Sequence, residues 1–488
     1  MKQQPVLANF PSHVFATARR RFQAGIRRLR ESLAGESLSG YAVMFAEVLP
    51  PAFLGKIDPT RRNRHFGHVP VFWAWLAQIL EGNASCSKAI GFIQSWCRSQ
   101  GLAVPSSDTS SYCKARCRLS DAFLGEVARR VGEALARGQR EDDRWHGFTL
   151  KAVDGSTVKL ADTEENQKSF PQPPGQKPGC GFPVMGVAGL INLSHGGWDA
   201  MTTGAFSEHD LTLAEGLLCH IGEGDLLLGD RAFCSYAFIA AVLARGGQVV
   251  MRLHQQREAA LDWRKGRKIS PRERLVTWHR PAFPALKGRL TREAWEALPA
   301  TLEVRLIRLD YEDRSGKLRP MTVVTTLTDP AVHDGVELHC LYARRWEIEL
   351  RLRDIKTTLG FEMLHVKTPA MARKTLAMIR IAYNLMRVLM QRAAHEAGEP
   401  VGGISFKEAL DLTTSIHESF RGCAGKPRKR ADQMRFLVGM MATRLIVHRP
   451  GRREPRTIKR RPKPYPLLNT PRHEFVEIPH RSRYRKVA

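Results

Sequence analysis

The sequence predicts an α/β fold in the middle of the chain, with helical regions before and after it. Residues 148–253 contain segments of strand-like and helix-like spacing in the order strand, strand, strand, helix, strand, helix, strand. In residues 1–143 and 396–488, apolar residues recur mainly at helical spacing. We therefore predict a helical N-terminal domain over residues 1–143, an α/β domain over residues 144–395, and a basic helical region over residues 396–488.

The N-terminal region has the pattern of several helices separated by turn residues. Helical spacing of apolar residues covers residues 14–34, 71–81, 87–98 and 121–137. Arginines are concentrated in the first of these segments, which predicts a basic surface that contacts DNA. A solvated basic face that binds nothing would show the same pattern, and both interpretations stay open here.

Strand-like segments in the central region run into acidic residues at two places. Residues 148–153 alternate apolar side chains and lead into Asp154, and the apolar run 225–229 leads into Asp230. The other elements predicted here are strands over residues 184–192, 198–206 and 248–253 and helices over residues 208–220 and 235–245. Two acids thus stand at the ends of predicted buried strands.

Residues 254–320 interrupt this alternation with sequence rich in Lys, Arg and Pro. Strand-like segments over residues 301–311 and 320–327 indicate a β-rich insertion. Further helices are predicted over residues 342–356, 368–392, 406–420 and 434–447, and a basic run covers residues 449–463.

Length and composition limit the classes of protein to which the chain can belong. The chain has 488 residues, 43% of them hydrophobic, and no apolar run is long enough to cross a bilayer. The first ten residues lack the pattern of a secretory signal, and nine scattered cysteines do not resemble a disulfide framework. We therefore expect a globular protein of the cytoplasm with no membrane association.

The strongest global signal is positive charge. Lys and Arg number 76 against 48 Asp and Glu, which gives a net charge of +28. Such an excess predicts a polyanionic partner. Nucleic acid fits better than an anionic membrane, because the excess is spread through several folded segments and no basic amphipathic helix with a strong apolar face stands out.

Residues 342–356 predict a helix that carries four functional groups on one face. At about 100° per residue, Tyr342, Arg345, Glu349 and Lys356 fall close together, since their spacings are near whole turns. The other acids of the segment, Glu347 and Asp354, point elsewhere. An ordinary amphipathic helix with ion pairs would show the same spacing, so the helix alone does not identify a site.

Three acids from these segments suit a pair of Mg²⁺ ions. Magnesium prefers hard oxygen ligands, and two ions can activate an attacking oxygen and stabilise a leaving one during phosphoryl transfer. Asp154, Asp230 and Glu349 fit that role. Each acid could instead cap a neighbouring helix or turn, but a chain of this positive charge has little structural reason to gather acids at strand ends.

These motifs resemble those of the DDE transposases of bacterial insertion sequences, in the insertion-sequence-four family. The family helix signature, Tyr, two residues, Arg, three residues, Glu, six residues, Lys, is matched at every step by residues 342–356. The other family motifs are matched by Asp154-Gly155-Ser156 and by Asp230-Arg231-Ala232-Phe233, where Ala232 replaces a frequent Gly. The resemblance covers about residues 148–470.

The resemblance implies a fold and a reaction. It implies a ribonuclease-H-like, retroviral-integrase-like catalytic core with a β-rich insertion before the Glu349 helix. It implies cut-and-paste movement of a DNA element: water nicks the element ends, the freed 3′-hydroxyl makes a hairpin, the hairpin is opened, and the ends join target DNA. The partners would be double-stranded DNA of the terminal inverted repeats and the target, bound by a homodimer at the bacterial nucleoid.

The resemblance also assigns roles to residues. Asp154, Asp230 and Glu349 would hold two Mg²⁺ ions, for which Mn²⁺ would substitute. Phosphates would be contacted by Tyr342, Arg345 and Lys356, with Arg231 as a further contact. A DNA hairpin needs a sharply bent strand, so we expect an extruded base to stack on an aromatic ring, with Trp278 as the first candidate and Trp295 as the second.

Two other functions are compatible with the sequence. A metal-dependent nuclease would cut DNA without joining it. A DNA-binding protein derived from a transposase would have lost at least one carboxylate, whereas all three are present here.

Overall fold

The structure, a computed structural model, describes residues 40–60, 65–99, 101–283, 291–312 and 317–447, with residues 470, 471 and 474. The predicted helix over residues 14–34, with its arginines, and the basic run over residues 449–463 lie outside the described residues. The chain divides into two compact units: residues 1–138 with 376–444, and residues 139–375 with 445–488. The first unit combines residues from all three domains that the sequence pattern indicates.

The helices of the described residues, in chain order, are α1 (Gly40–Met44), α2 (Pro51–Ile57), α3 (His68–Leu80), α4 (Cys86–Ser99), α5 (Thr109–Arg118), α6 (Asp121–Gly138), α7 (Glu164–Ser169), α8 (Asp210–Glu215), α9 (Tyr236–Leu243), α10 (Gln255–Ala259), α11 (Arg292–Glu296), α12 (Gly335–Ala343), α13 (Trp346–Arg353), α14 (Pro369–Ala397), α15 (Phe406–Ile416) and α16 (Pro427–Ala442). In this part of the chain, none is both long and apolar enough to cross a membrane.

The first unit is helical, as the spacing of its apolar residues predicts. Helix α3 is buried on every side from Val71 to Leu80, whereas α6 buries one stripe that includes Val127 and Val131. Close packing also explains one glycine, because a Cβ at Gly40 would overlap the carbonyl group of His417. The helices of this unit therefore form their own hydrophobic core.

The second unit contains one large mixed sheet. Its strands are β1 (Thr149–Leu160), β2 (Val184–Asn192), β3 (Gly197–Ala205), β4 (Asp225–Gly229), β5 (Gln248–Arg252), β6 (Arg267–Ser270), β7 (Glu273–His279), β8 (Thr301–Glu312), β9 (Leu318–Thr325) and β10 (Met363–Leu364). The strand order is β3-β2-β1-β4-β5-β9-β8-β7-β6, and β10 pairs with β1. The predicted α/β fold is confirmed, and the strands of the β-rich insertion extend the same sheet.

Strand directions divide this sheet into a parallel centre and antiparallel sides. Strands β1, β4 and β5 are parallel neighbours, whereas β2 pairs antiparallel with β1 and β3 pairs antiparallel with β2. Strand β9 joins β5 in antiparallel fashion and begins the antiparallel β9-β8-β7-β6 part. Helices α8 and α9 cover one face through a core that includes Val153, Leu213 and Ile239.

Strand β1 is longer than its apolar pattern predicts, and this corrects the position of Asp154. The expectation was an acid at the end of a strand, but β1 continues to Leu160. It does so because β2 pairs with it from Lys151 to Lys159, which supplies hydrogen-bond partners past the acid. Asp154 instead marks the point where pairing with β4 ends, because Val153 is the last residue of β1 that pairs with β4.

The predicted single helix over residues 342–356 is also corrected. Helix α12 ends at Ala343 and α13 begins at Trp346, and the two residues between them are joined by tighter turns. The Arg345 N–H donates to the Tyr342 carbonyl, and the Ile348 N–H donates to the Arg345 carbonyl. A π-helical turn over Asp354–Thr358 then follows α13, so helical spacing persists while the hydrogen-bond pattern changes twice.

A buried ionic network fixes the other end of β1. The Lys151 ammonium lies 2.9 Å from a carboxylate oxygen of Asp225 and 3.2 Å from one of Asp199, and it donates to the His220 carbonyl at 2.7 Å. His195 Nε2 lies 3.4 Å from the second oxygen of Asp199. These contacts link β1 to β3 and β4. They help to fix the register between β1, which contains Asp154, and β4, which Asp230 directly follows.

Candidate active site

Two of the three predicted carboxylates lie at the same level on adjacent parallel strands. Val153 of β1 pairs with Gly229 of β4, and Asp154 and Asp230 are the residues that directly follow these two. The pairing of β4 with β5 likewise brings Arg252 to the level of Asp230. Strands β4 and β5 end here, while β1 continues. The three residues therefore lie at the carboxyl end of the parallel part of the sheet.

The turn after β4 holds Asp230 in place. The Ala232 N–H donates to Asp230 Oδ1 at 2.8 Å, and the ring of Phe233 is buried beside Gly229. The aromatic residue of this motif is therefore a core residue. Arg231 is exposed next to the acid and remains a predicted phosphate contact.

The third carboxylate, on α13, is linked to the carboxyl end of the parallel strands by Arg345. Arg345 Nη2 lies 3.2 Å from Glu349 Oε1, and Arg345 Nη1 lies 3.8 Å from Asp154 Oδ2. One guanidinium thus contacts carboxylates from a strand and from a helix that are nearly two hundred residues apart in sequence. The structure brings Asp154, Asp230, Arg345 and Glu349 together, with Asp230 and Glu349 close enough for their charges to act on Asp154.

The other acids of the helical segment have different partners. Glu347 accepts a hydrogen bond from Arg344 Nε at 2.8 Å, and Asp354 lies 3.7 Å from Arg351. These pairs keep both carboxylates away from Asp154, as helical periodicity predicts.

Burial dominates the electrostatics of Asp154. Its side chain is only 19% exposed, and this burial raises the pKa of Asp154 from 3.8 to about 6. The Gly155 N–H, which donates to Asp154 Oδ1 at 2.8 Å, and Arg345 oppose the rise, whereas the negative charges of Asp230 and Glu349 add to it. The ionised form of this acid is therefore poorly stabilised until a further cation is present.

Tyr342 and Lys356 are less accessible than phosphate-contacting residues usually are. The Tyr342 side chain is 7% exposed, burial raises its pKa to about 12, and its hydroxyl hydrogen-bonds with Arg345. Lys356 lies half-buried in the π-helical turn, and burial lowers its pKa. Tyr342 is thus placed to orient Arg345. The Lys356 side chain packs partly against the protein and does not extend freely into solvent.

Trp278 is not brought to the carboxylates. The sheet register connects Gly229 through β5, β9 and β8 to Arg274 of β7, and Trp278 lies further along β7 in the direction away from Asp230. The separation is about 13 Å along the strands and about 19 Å across them. One face of the Trp278 ring is covered by Arg257, at 4.2 Å from the ring centroid, and the ring packs against the core.

The structure identifies three residues near the candidate site that the sequence patterns did not. Arg252 follows a strand end, as Asp230 does, so the same reasoning applied to cations would have found it. Trp346 is 52% exposed, and the Arg345 guanidinium lies 5.7 Å from its ring centroid. Asp210, the first residue of α8, lies against Gly155, and no periodicity in the sequence points to it.

The chemistry of the donors fits a hard divalent cation. The acids offer only carboxylate oxygens, which are ligands that Mg²⁺ prefers. Among the residues that the structure describes, no three His, Cys, Asp or Glu side chains converge as a finished metal site. The Arg345 guanidinium lies between Asp154 and Glu349 here and compensates part of their charge.

Comparisons with known proteins identify a family and similar proteins. Residues 145–385 match the family described as "Transposase DDE domain". The chain is 28% identical over 370 residues to the transposase InsG of insertion sequence element IS4 from Escherichia coli K12. The aligned region covers 73% of this chain and 78% of InsG. A solved piggyBac transposase synaptic complex with hairpin DNA is 11% identical, with a TM-score of 0.38 over 87% of this chain and 86% of that chain, too low to assign a fold.

Proposed function

The chain belongs to the DDE transposases of bacterial insertion sequences, and we propose that it moves its element by cut-and-paste transposition through a hairpin intermediate. The observation that carries this proposal is that Asp230 and Glu349 both lie close to Asp154 at the carboxyl end of the parallel strands, with Arg345 between Asp154 and Glu349. Strand cleavage and strand transfer are the same displacement at phosphorus, with water as the nucleophile in one and a 3′-hydroxyl group in the other, so one such site serves both.

The strand order supports a ribonuclease-H-like classification of the catalytic core. Strands β1, β2 and β3 form an antiparallel meander, and β4 and β5 lie parallel to β1 on its other side. The catalytic domain would extend over residues 144–395, with the insertion at about 254–320 joined to the core through β9. The helical N-terminal region over residues 1–143 and the basic region over residues 396–488 would contribute DNA contacts.

Family membership implies a divalent cation, generally Mg²⁺. We assign Asp154, Asp230 and Glu349 as the residues that hold two such ions, with Mn²⁺ as a substitute. When bound, the ions would supply activation of the attacking oxygen and stabilisation of the leaving one. The raised pKa of Asp154 supports this assignment, because a buried carboxylate with two acidic neighbours gains most from a cation.

The residues around the carboxylates would hold the DNA backbone. Arg345 contacts two acids here and has the planar fork that binds phosphate oxygens, and Tyr342 orients it. Arg252, Lys356 and Arg231 would contact flanking phosphates. The DNA would be the terminal inverted repeats and the target, and a homodimer would bridge the two element ends.

Trp346 is a better candidate than Trp278 for stacking on an extruded base. It is exposed, it lies beside Arg345, and its indole ring offers the flat apolar face on which bases stack. Trp278 lies at the far end of its strand and is covered on one face by Arg257.

Cleavage of DNA that flanks the coding sequence tests the proposal. Glu349→Gln should reduce Mg²⁺-dependent cleavage by more than about 100-fold, because it removes a metal ligand, a larger change than the loss of an outer-shell partner. Glu347→Gln is the matched control and should cleave as wild type, since Glu347 pairs with Arg344. Wild-type cleavage by Glu349→Gln would show that the metal assignment is wrong.

A joining assay separates a transposase from a nuclease that only cuts. Pre-cut element ends with free 3′-hydroxyl groups are incubated with a supercoiled target plasmid and Mg²⁺. Strand-transfer products are expected from the wild-type protein and not from Glu349→Gln. Efficient cutting without any joined product would contradict the proposed cut-and-paste reaction.

A further inference from the structure

A fourth acid, Asp210, lies against the motif that contains Asp154. A Cβ placed on Gly155 would overlap all three atoms of the Asp210 carboxylate group. Glycine is therefore the residue that leaves room for this carboxylate beside β1. The steric contact also explains why a glycine follows Asp154 in a strand, where glycine is otherwise unfavourable.

The position of Asp210 is set by packing. It is the first residue of α8, whose Leu213 and Ala214 are buried against the sheet. The Thr202 hydroxyl of β3 donates to the Leu213 carbonyl at 2.8 Å. Packing therefore fixes the backbone that carries Asp210, whose own side chain is exposed.

Asp210 is close to two of the assigned metal ligands. Gly155, which it contacts, directly follows Asp154 and donates its N–H to that residue. Asp210 is also close enough to Asp230 for the charge of one to act on the other. No ion pair to Asp210 is found within the described part of the chain, although the protein as a whole carries a net charge of +28.

A helix dipole alone does not account for this placement. An acid in the first turn of a helix stabilises it by about 0.3–1 kcal/mol, and α8 has only six residues. That gain is opposed by repulsion from the neighbouring carboxylates, which a divalent cation would reverse.

We propose that Asp210 is a fourth acidic residue of the cation site formed by Asp154, Asp230 and Glu349, and that Gly155 is needed to admit it. The inference rests on the proposed function, because it adds a residue to the same site. Asp210 would supply an oxygen to the cation or to its coordinated water shell.

Binding of Mn²⁺ to the full-length protein, followed by the electron paramagnetic resonance signal of the free ion, tests this inference. Asp210→Asn should weaken Mn²⁺ binding by about 10-fold or more, the range seen when outer-shell partners of a metal are removed. Glu208→Gln is the matched control two residues away, because Glu208 accepts a hydrogen bond from the Ala205 N–H and should leave Mn²⁺ binding unchanged.

Gly155→Ala provides an independent variant with the same expected defect. Its methyl group would displace the Asp210 carboxylate, so Mn²⁺ binding should weaken as in Asp210→Asn. The double variant should be no worse than either single one, because both changes remove the same carboxylate. Additive losses would show that Gly155→Ala acts through Asp154 and would contradict the role given to Gly155.

The outcomes separate this inference from the function on which it rests. Wild-type Mn²⁺ binding by folded Asp210→Asn, with binding lost in Asp154→Asn, would overturn the inference and leave the proposed function intact. Wild-type binding by Asp154→Asn would instead overturn the proposed function. Excess Mg²⁺ should restore DNA cleavage by Asp210→Asn and not by Asp154→Asn.

Discussion

Asp154→Asn should stabilise the metal-free protein, although the proposed function predicts that this variant is inactive. Burial raises the pKa of Asp154 from 3.8 to about 6, so the folded protein holds the neutral acid more strongly than the unfolded chain does. Stability from this group is complete below about pH 3.8 and is lost as the pH rises to about 6. The amide of Asn keeps the shape of the neutral acid and has no charge to lose.

The size of the effect follows from the two pKa values. At pH 8 Asp154 is ionised in both the folded and the unfolded protein, and the rise of its pKa from 3.8 to about 6 corresponds to about 3 kcal/mol. At pH 5 the penalty is about half as large, because the folded carboxyl is then mostly protonated. The Asn variant should therefore gain about 3 kcal/mol at pH 8 and about 1.5 kcal/mol at pH 5.

Urea denaturation with a chelator present, at both pH values, measures this difference. The exposed residue Asp142 offers a control, and Asp142→Asn should show no comparable gain. Excess MgCl₂ should reverse the order, because bound cation stabilises only the protein that retains the carboxylate. If Asp154→Asn is less stable than wild type in chelator at pH 8, the reasoning from burial is refuted.

Three further predictions concern other residues. Lys151→Met should lower the free energy of unfolding by about 3–5 kcal/mol, because it removes the ammonium group that both Asp199 and Asp225 contact. Arg129→Gln, which breaks exposed ion pairs, should change it by less than about 1 kcal/mol in the same urea titration. Trp346→Ala should slow hairpin formation on nicked element ends by about 10-fold or more, whereas Trp278→Ala should leave that rate unchanged if it folds. Arg252→Gln should reduce the salt dependence of DNA binding by about one phosphate contact, measured by fluorescence anisotropy across a salt series.

Much of the fold follows from local patterns. The predicted strand over residues 184–192 and the start of the helix at residue 121 coincide with the observed bounds. The strand is a continuous apolar run that is buried on both faces, and the helix has apolar residues at a spacing of three to four. Both patterns are visible in neighbouring residues alone. The β-rich insertion was also recognisable, but its membership of the same sheet was not, because β9 pairs with residues distant in sequence.

The candidate site is a harder case because it joins distant segments. Strand ends and helical spacing selected Asp154, Asp230 and Glu349, and the spacing excluded Glu347 and Asp354. It could not show that Asp154 lies inside a long strand, since the pairing of β2 extends β1. It also could not reveal the break between α12 and α13, which changes hydrogen bonding without changing the apolar period.

The sequence by itself determined the α/β class of fold and the basic character, and it predicted the three candidate carboxylates. Each of these follows from composition or from the spacing of residues over a few turns. Only the tertiary structure decided that Asp154, Asp230 and Arg252 share one level, that Asp210 lies on Gly155, and that Trp278 is remote. The physical reason is that register and close packing arise from contacts between segments far apart in the chain. Periodicity within a segment shows which side of it faces inward, but it does not show what that side meets.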